Sequence, residues 1–360
     1  MESEGTGNMS KDRKNIIKVA SVYTGTVVGA GFASGQEIKQ FFVVYGYQSI
    51  YGILLSSLLF ALMGMVILNK IYYYKIKSYS EYVVPLIGKK LGSMIEIIVW
   101  LFLLASFNVM VAGSGAVFYE EFGVHRNIGI LIMAALCLIV FLNDLKGVVM
   151  LNTILAPIMT VGIVFLGIYV LVFKDTDVMS MGYFFKQATN HWFFSSLLYV
   201  SYNTLTIIVV MTTLLPLLSR RKVAICGGIA GGIFLGCMAF LLWGVLMMFY
   251  NEILPYEIPL LYIVTQKGRI FEWIYVFVLY SAMFTTAVAN GYGFLNHISG
   301  LLKVNKKLCA FVLCAFSVPC AYIGFENLVK NLYSFFGYLG LFMMIVVLVD
   351  GVKELFYIWS

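Results

Sequence analysis

Charge is what this sequence has least of. Aspartate, glutamate, lysine and arginine together make up 11% of its 360 residues, against about 25% in soluble domains. That leaves too little polar surface to cover a water-exposed globule, which excludes an ordinary soluble domain and makes lipid the solvent. Histidine is scarce too: His125, His191 and His297 stand alone near the ends of apolar runs, without metal-ligand spacing. Phosphate loops, nucleophile elbows and paired-carboxylate motifs are missing, so primary pumping and hydrolysis have no support. Cys137, Cys226, Cys237, Cys309, Cys314 and Cys320 all lie in apolar runs and none sits in a CxxC. They read as buried reduced thiols rather than metal or redox groups. The short alternating segments of a β-barrel are also missing.

Apolar residues are abundant, at 61% of the chain, and they fall in long runs. A run of about 20 residues crosses the roughly 30 Å of hydrocarbon in a bilayer, and in lipid such a run must satisfy its own backbone as a helix. Ten spans are expected, at residues 16–44, 49–69, 92–118, 128–142, 147–173, 192–215, 223–249, 271–297, 308–323 and 332–352. The stretch 255–266 is apolar but too short to cross, and reads as an amphipathic or re-entrant piece. Residues 1–14 are polar and run into a full span, so no cleavable signal peptide is expected.

The net charge of +7 would suggest nucleic acid in a soluble protein. Here the basic residues sit between spans, where membrane topology explains them better and no nucleic-acid partner is expected. With the N-terminus in the cytoplasm, seventeen of the 24 basic residues fall on inside segments and six on outside ones, with Lys39 inside the first span. That asymmetry follows the positive-inside rule and supports an even span number with both ends in the cytoplasm of a bacterial plasma membrane.

Two spans are interrupted. The first contains Gly25, Gly29, Gly31 and Gly35 within eleven residues, each weakening a helix by about 1 kcal/mol relative to alanine. The sixth carries the polar cluster Ser201, Tyr202, Asn203, Thr204 and Thr206 in mid-span. Spans one and six are equivalent positions if the chain is two repeats of five helices, and an odd repeat length gives the halves opposite orientations. Interrupted helices at matching places in two halves point to a transporter binding site. The expected layout is a cytoplasmic tail at 1–15, a first five-helix repeat at 16–173, an extracellular connection at 174–191, a second repeat at 192–353 and a cytoplasmic end at 354–360.

The string from Gly25 to Gly31, G-T-V-V-G-A-G, resembles the G-x-x-x-G-x-G break in helix one of LeuT-type transporters. Extended to Ile38 through Phe-Ala-Ser-Gly-Gln-Glu, it is similar to the YkvI family of bacterial membrane proteins, grouped with the amino acid–polyamine–organocation superfamily. The resemblance covers the whole chain in length and span order. It implies an all-α integral membrane protein of ten transmembrane helices, with a LeuT-like 5+5 inverted repeat and broken helices 1 and 6. It further implies a midplane site between those helices, a small solute such as an amino acid as partner, and Na⁺ or H⁺ as coupling ion. One departure is Phe32, where sodium-coupled members commonly have a polar side chain after the last glycine. That argues against a sodium ion touching the solute.

The expected solute ligands are Val28, Gly29, Gly31, Ala33 and Ser34 from the first span, with Ser201, Tyr202, Asn203 and Thr204 from the sixth. The inner half of the broken helix is expected to end near Val28 and the outer half to begin near Ala33. Freed carbonyls at the first end suit a cation or ammonium, and freed N–H groups at the second suit a carboxylate. The glycines have an alternative role, tight helix crossing, and the sixth-span cluster has one in interhelical hydrogen bonding.

Ser34-Gly35-Gln36-Glu37 matches a capping box. Glu37 therefore has two readings: a cap on the Ser34 N–H, or a proton or cation acceptor with a gating role, since an ionisable group in a span is a functional candidate. The resemblance also makes Gly25, Val28, Ser281, Thr285 and Thr286 candidate Na⁺ ligands, oxygen donors being what a hard cation takes; hydroxyl back-bonding to the same helix is the alternative. The lysine that replaces this ion in proton-coupled relatives has no evident counterpart: Lys146 stands at the start of span five, followed by Asn152 and Thr153. Glu96, near the cytoplasmic face, reads as a lysine partner or a gate.

The leading expectation is therefore a secondary transporter, not an enzyme. A non-transporting receptor on the same scaffold, like the membrane subunit of spore germinant receptors, is the alternative, and would bind a solute without accumulating it.

Overall fold

The computed structural model describes residues 2–143, 161–165, 167–170 and 191–359. Most of the expected fifth span, with Lys146, Asn152 and Thr153, lies outside the described residues, as does nearly all of the connection at 174–191.

Every described element is helical. The chain begins with α1 (Glu2–Val27), then two short pieces, α2 (Ala30–Ala33) and α3 (Gln36–Phe41). A 3₁₀ segment, Val43–Gln48, leads into α4 (Ser49–Tyr74). The long α5 (Tyr79–Phe122) starts at Ser78, whose hydroxyl accepts the Glu81 N–H at 3.3 Å. It is bent at Gly88, where φ is 80°, so the membrane-crossing part begins beyond that bend, close to the expected start at 92. Next come α6 (Arg126–Asn143), helical residues at 161–165 and 167–170, α7 (Trp192–Thr212) and α8 (Arg221–Met248). The short apolar piece expected at 255–266 folds as α9 (Pro259–Thr265). The chain continues with α10 (Arg269–Leu302) and α11 (Lys306–Ala321), then a turn at Phe325–Leu328 and a π-helical turn at Val329–Tyr333 that feeds α12 (Ser334–Trp359).

Among the described residues six helical stretches are long and apolar enough to cross a membrane. Their outward faces carry Leu54, Leu58, Leu101 and Phe342, with Ile270 and Phe277 at 76% and 70% exposed. A band of that kind belongs against lipid tails, not water.

Between helices in lipid, apolar burial gives little attraction and close backbone approach takes its place. The pair α4 and α8 shows this most strongly. A side chain on Gly228 would sit 2.3 Å from the Gly64 carbonyl carbon, and one on Gly232 would sit 2.3 Å from the Ala61 nitrogen. Tyr23 of α1 lies in the same seam and donates its hydroxyl to the Phe60 carbonyl at 2.7 Å. On the other side of the fold α7 and α12 touch at Ser201, whose hydroxyl donates to the Gly337 carbonyl at 2.7 Å.

The expected break in the sixth span does not occur: α7 runs continuously from Trp192 to Thr212. The polar residues that suggested the break, Tyr202 excepted, bond back to their own helix. Asn203 donates to the Tyr199 carbonyl at 2.8 Å, Thr204 to that of Val200 at 2.9 Å and Thr206 to that of Asn203 at 3.0 Å. Side chains that bond the preceding turn remove their own polarity from the lipid problem without unwinding the helix.

Charged groups cluster at the two ends of the helices. At the end holding the start of α8, Lys70 pairs with Asp350 and, at 3.4 Å, with Glu354, while Arg221 Nε donates to the Asn69 side-chain Oδ1 at 3.0 Å. At the opposite end, Lys39 meets Glu326 at 3.1 Å and Arg126 pairs with Glu257.

Candidate functional site at the break in the first helix

The first helix stops where its glycines begin. The Val28 N–H still reaches the Thr24 carbonyl at 2.8 Å, but the Gly29 N–H turns to the Val27 carbonyl at 2.9 Å. Gly29 is extended, at φ −95° and ψ −170°. The outer piece resumes at Ala30, three residues earlier than the expected restart near Ala33. Of the last-turn carbonyls of α1, those of Thr24 and Val27 are taken in this way, which leaves Gly25 and Thr26, with the N–H groups that open α2, lacking the partners a continuous helix would give them.

A second discontinuity follows at Ser34 and Gly35, where Gly35 takes φ 79°. That left-handed geometry suits glycine. The carbonyls it frees are met from outside: Tyr275 of α10 donates to Ala33 at 2.8 Å, and the Leu260 N–H of α9 donates to Ser34 at 3.1 Å.

The capping box is not formed. The Ser34 N–H is taken by the Ala30 carbonyl at 2.8 Å, although the Ser34 hydroxyl does accept the Gln36 N–H at 3.2 Å. Because Gly35 is the residue that turns the chain, Glu37 points away from the Ser34 amide and folds back over Gly31. A side-chain carbon on Gly31 would lie 2.1 Å from Glu37 Oε1. The other carboxylate oxygen, Oε2, accepts the Tyr202 hydroxyl at 2.8 Å. Glu37 is 4% exposed and Tyr202 is 3% exposed.

Rings close around this pair. Tyr202 stacks on Tyr333 with centroids 4.9 Å apart, and Phe41, Tyr199 and Phe102 lie at 5.6, 5.8 and 6.0 Å from it. The Tyr199 hydroxyl is buried there with no hydrogen-bond partner among the described residues, as are both amide atoms of Gln36.

The residues expected to hold solute or ion are thus only partly gathered. Val28, Gly29, Gly31, Ala33 and Ser34 flank the break. From α7, Tyr202 reaches the first helix through Glu37, while Ser201, Asn203 and Thr204 direct their polar groups to backbone carbonyls. From α10, Thr286 lies beside the break, its hydroxyl 3.9 Å from where a Gly29 side chain would stand. Thr285 instead donates to the Ala282 carbonyl at 3.1 Å. Ser281 is half-buried, and Gly25 has open space where a side chain would go. Among the described residues Glu96 has no ion-pair partner, and no three His, Cys, Asp or Glu side chains come together as a metal-holding group.

Sequence reasoning missed the network that closes the other face of α3. Lys39, 2% exposed, donates to the carbonyls of Leu254 and Tyr256 at 3.0 and 2.8 Å as well as pairing with Glu326. Glu120, at the end of α5, accepts the N–H groups of Glu257 and Ile258 at 2.6 and 3.2 Å. Glu257 in turn accepts from the Phe325 and Glu326 N–H groups at 2.8 and 3.3 Å. The one available signal was a lysine inside an apolar span.

Comparison with known proteins places this geometry. No family model matches the chain. The uncharacterized membrane protein YkvI of Bacillus subtilis is 30% identical over 352 residues, covering 92% of this chain and 95% of that protein. The uncharacterized protein YyaD of the same organism is 25% identical over 325 residues, covering 90% and 93%. Among solved structures, a variant of the Eremococcus coleocola manganese transporter matches with a TM-score of 0.59 at 14% identity, over 92% of this chain and 77% of the other. The inward-facing conformation of Mhp1 matches at 0.58 and 13%, over 93% and 76%. A Na⁺-coupled sialic acid symporter in its substrate-bound outward-open state matches at 0.57 and 14%, over 91% and 76%. A multi-pass helical chain that interrupts its first span at Val28–Gly29, and matches YkvI along nearly its whole length, belongs to the YkvI family of membrane proteins and carries the LeuT-type fold.

Proposed function

We propose that this protein is a secondary transporter of an amino acid or a similar small zwitterion, driven by Na⁺ or H⁺. It works by alternating access around a midplane site beside the first and sixth spans. The observation that carries the reading is the two-residue break at Val28–Gly29, which exposes peptide dipoles of both signs inside an apolar bundle. The N–H groups at the start of α2 suit a carboxylate, and the carbonyls at the end of α1 suit an ammonium or a cation. Structural likeness to transporters of manganese and of sialic acid supports transport as the class of activity, leaving the solute to be read from this chain's own residues. In this reading the chain has ten crossings in two inverted halves, 16–173 and 192–353, with both ends in the cytoplasm of a bacterial plasma membrane.

The ion would sit, if it is Na⁺, among the carbonyls of Gly25 and Val28 and the hydroxyls of Ser281, Thr285 and Thr286. Of the three hydroxyl residues in that set, Thr286 is the one in contact range of Gly29.

The test is uptake into proteoliposomes from an amino acid panel, with Na⁺ and pH gradients imposed separately. Accumulation that follows one gradient is the expected result. Saturable binding with no accumulation under either gradient overturns it in favour of a receptor on the same scaffold. Gly29→Leu should abolish uptake while the protein still inserts and folds; normal affinity in that variant would reduce the break to a packing feature.

A further inference from the structure

We propose that H⁺ is the coupling ion and that Glu37 carries it, holding the proton while the site is shut and releasing it when the first and sixth spans part. The inference rests on the transporter reading above and names its coupling ion.

Its ground is a contrast among enclosed ionisable groups. Among the described residues three acid or base side chains are shut inside the bundle: Glu37, Lys39 and Lys70, at 4%, 2% and 7% exposed. Both lysines have acid partners. Lys39 meets Glu326, and Lys70 meets Asp350 and Glu354. Glu37 has no ion-pair partner among the described residues. A lone carboxylate in an apolar interior is so costly that the group neutralises instead, so Glu37 holds its own proton here. A paired group cannot change charge without stranding its partner. Glu37 can, because its titration breaks no ion pair, and an ionisable group within a span that is free to titrate is placed for proton traffic.

Position ties that proton to the transport movement. Glu37 stands on α3, in the outer part of the broken first span, and its Oε2 accepts the Tyr202 hydroxyl of α7 at 2.8 Å. Its Oε1 lies against Gly31, just past the break, where any larger residue would displace it. The carboxyl thus bridges the two spans on either side of the proposed solute site. Parting α3 from α7 breaks the Tyr202 bond and admits water, in which a carboxyl ionises freely. The shut form therefore needs the proton and the open forms do not. Such a difference in affinity between conformations is what lets a gradient bias a cycle. The proton comes from the outer water and leaves to the inner water, and only the carboxyl O–H bond forms and breaks.

Nothing else nearby competes for it. The titratable groups facing Glu37 are phenols: Tyr199 and Tyr202 from α7, and Tyr333 from the π-helical turn. Ordinary phenols stay neutral up to about pH 10. On α3 itself Lys39 is turned to Glu326. The four residues of α2 include no acid or base, α9 has none, and the charges of α8 are Arg221 and Lys222 at its far end. Tyr275 of α10 is bonded to the Ala33 carbonyl, and Glu120 of α5 to the Glu257 and Ile258 amides.

The experiment offers proteoliposomes, with the membrane potential clamped, a radiolabelled mixture of the standard amino acids in Na⁺-free buffer. An outside more acidic by about one pH unit should concentrate the label up to about tenfold at one proton per solute. Glu37→Gln keeps the shape and removes the titrating group. Whatever label it still passes should reach equal concentrations on the two sides and go no further. Glu37→Asp restores an acid and should restore accumulation. Should Glu37→Gln fold poorly, Tyr202→Phe keeps the acid and removes its hydrogen bond to α7. A donor favours the ionised form, so the external pH of half-maximal accumulation should rise by about one unit. An unmoved profile in that variant overturns the inference, as does proton-driven accumulation in folded Glu37→Gln. Accumulation that follows a Na⁺ gradient and ignores pH overturns it too, and leaves the transporter reading standing. No accumulation under either gradient sinks the transporter reading and this inference with it.

Discussion

Lys39 and Glu326 meet at 3.1 Å although 287 positions separate them in the chain, and the lysine is almost wholly enclosed. The ammonium also ties the Leu254 and Tyr256 carbonyls to α3. One side chain thus gathers the outer piece of the first helix, the segment before α9 and the turn before α12. Lys39→Met removes all three contacts and keeps the apolar stem. Hydrogen exchange of residues 254–264 should rise at least about tenfold, since two or more charge-assisted bonds are lost there. Unchanged protection of that segment would show that Lys39 holds nothing closed.

Glu257 and Arg126 make an unequal pair. Glu257 accepts from two backbone amides as well as from Arg126, whereas the guanidinium side is 39% exposed. Glu257→Ala should therefore lower stability by about 2 kcal/mol, the cost of stranding donors. Arg126→Ala should cost about 1 kcal/mol or less, as exposed ion pairs do. Thermal unfolding of both variants in one detergent checks the order, and a larger loss in Arg126→Ala would contradict it.

Thr286 beside Gly29 separates the two coupling ions. Thr286→Val keeps the volume and removes the hydroxyl. If Na⁺ is the driver, the Na⁺ concentration needed for half-maximal uptake should rise roughly tenfold, about the 1.4 kcal/mol of one lost ligand. An unchanged Na⁺ requirement would move the ion elsewhere or leave H⁺ as the driver.

Glycines in this chain differ sharply in what they permit. A side chain on Gly25 meets nothing within 4 Å, so Gly25→Ala should leave stability unchanged or raise it by up to about 1 kcal/mol. Gly232→Val would drive carbon into the Ala61 backbone and should destabilise by about 3 kcal/mol or more. Melting temperatures that fail to separate the two would mean that the α4–α8 seam can open freely.

Glycine spacing made the interruption of the first span legible, because glycine weakens a helix locally and the effect needs no distant partner. The sixth span misled for a complementary reason: a polar side chain in lipid can be satisfied by its own preceding turn, as Asn203 and Thr204 are. Ser34 and Glu37 had the spacing of a cap, but Gly35 reversed the chain between them and sent the carboxylate to Tyr202. The charged layer around Lys39, Glu120 and Glu257 is written in partners at least 68 positions apart, and no local pattern announces such pairings. Apolar run length, by contrast, marked the helices well, and even the short piece at 255–266 has its counterpart in α9.

At Gly228 and Gly64 main chain rests directly on main chain, with no side chain between to yield. A shift of one helix along the other by a single residue would bring bulkier neighbours into a gap that admits only hydrogen. If the molecule works by the alternating access proposed above, α4 and α8 must travel together through each change of side, as one strut. Whatever bending that change demands has to be found at places such as Val28–Gly29 and Gly88, where the backbone already departs from the helix.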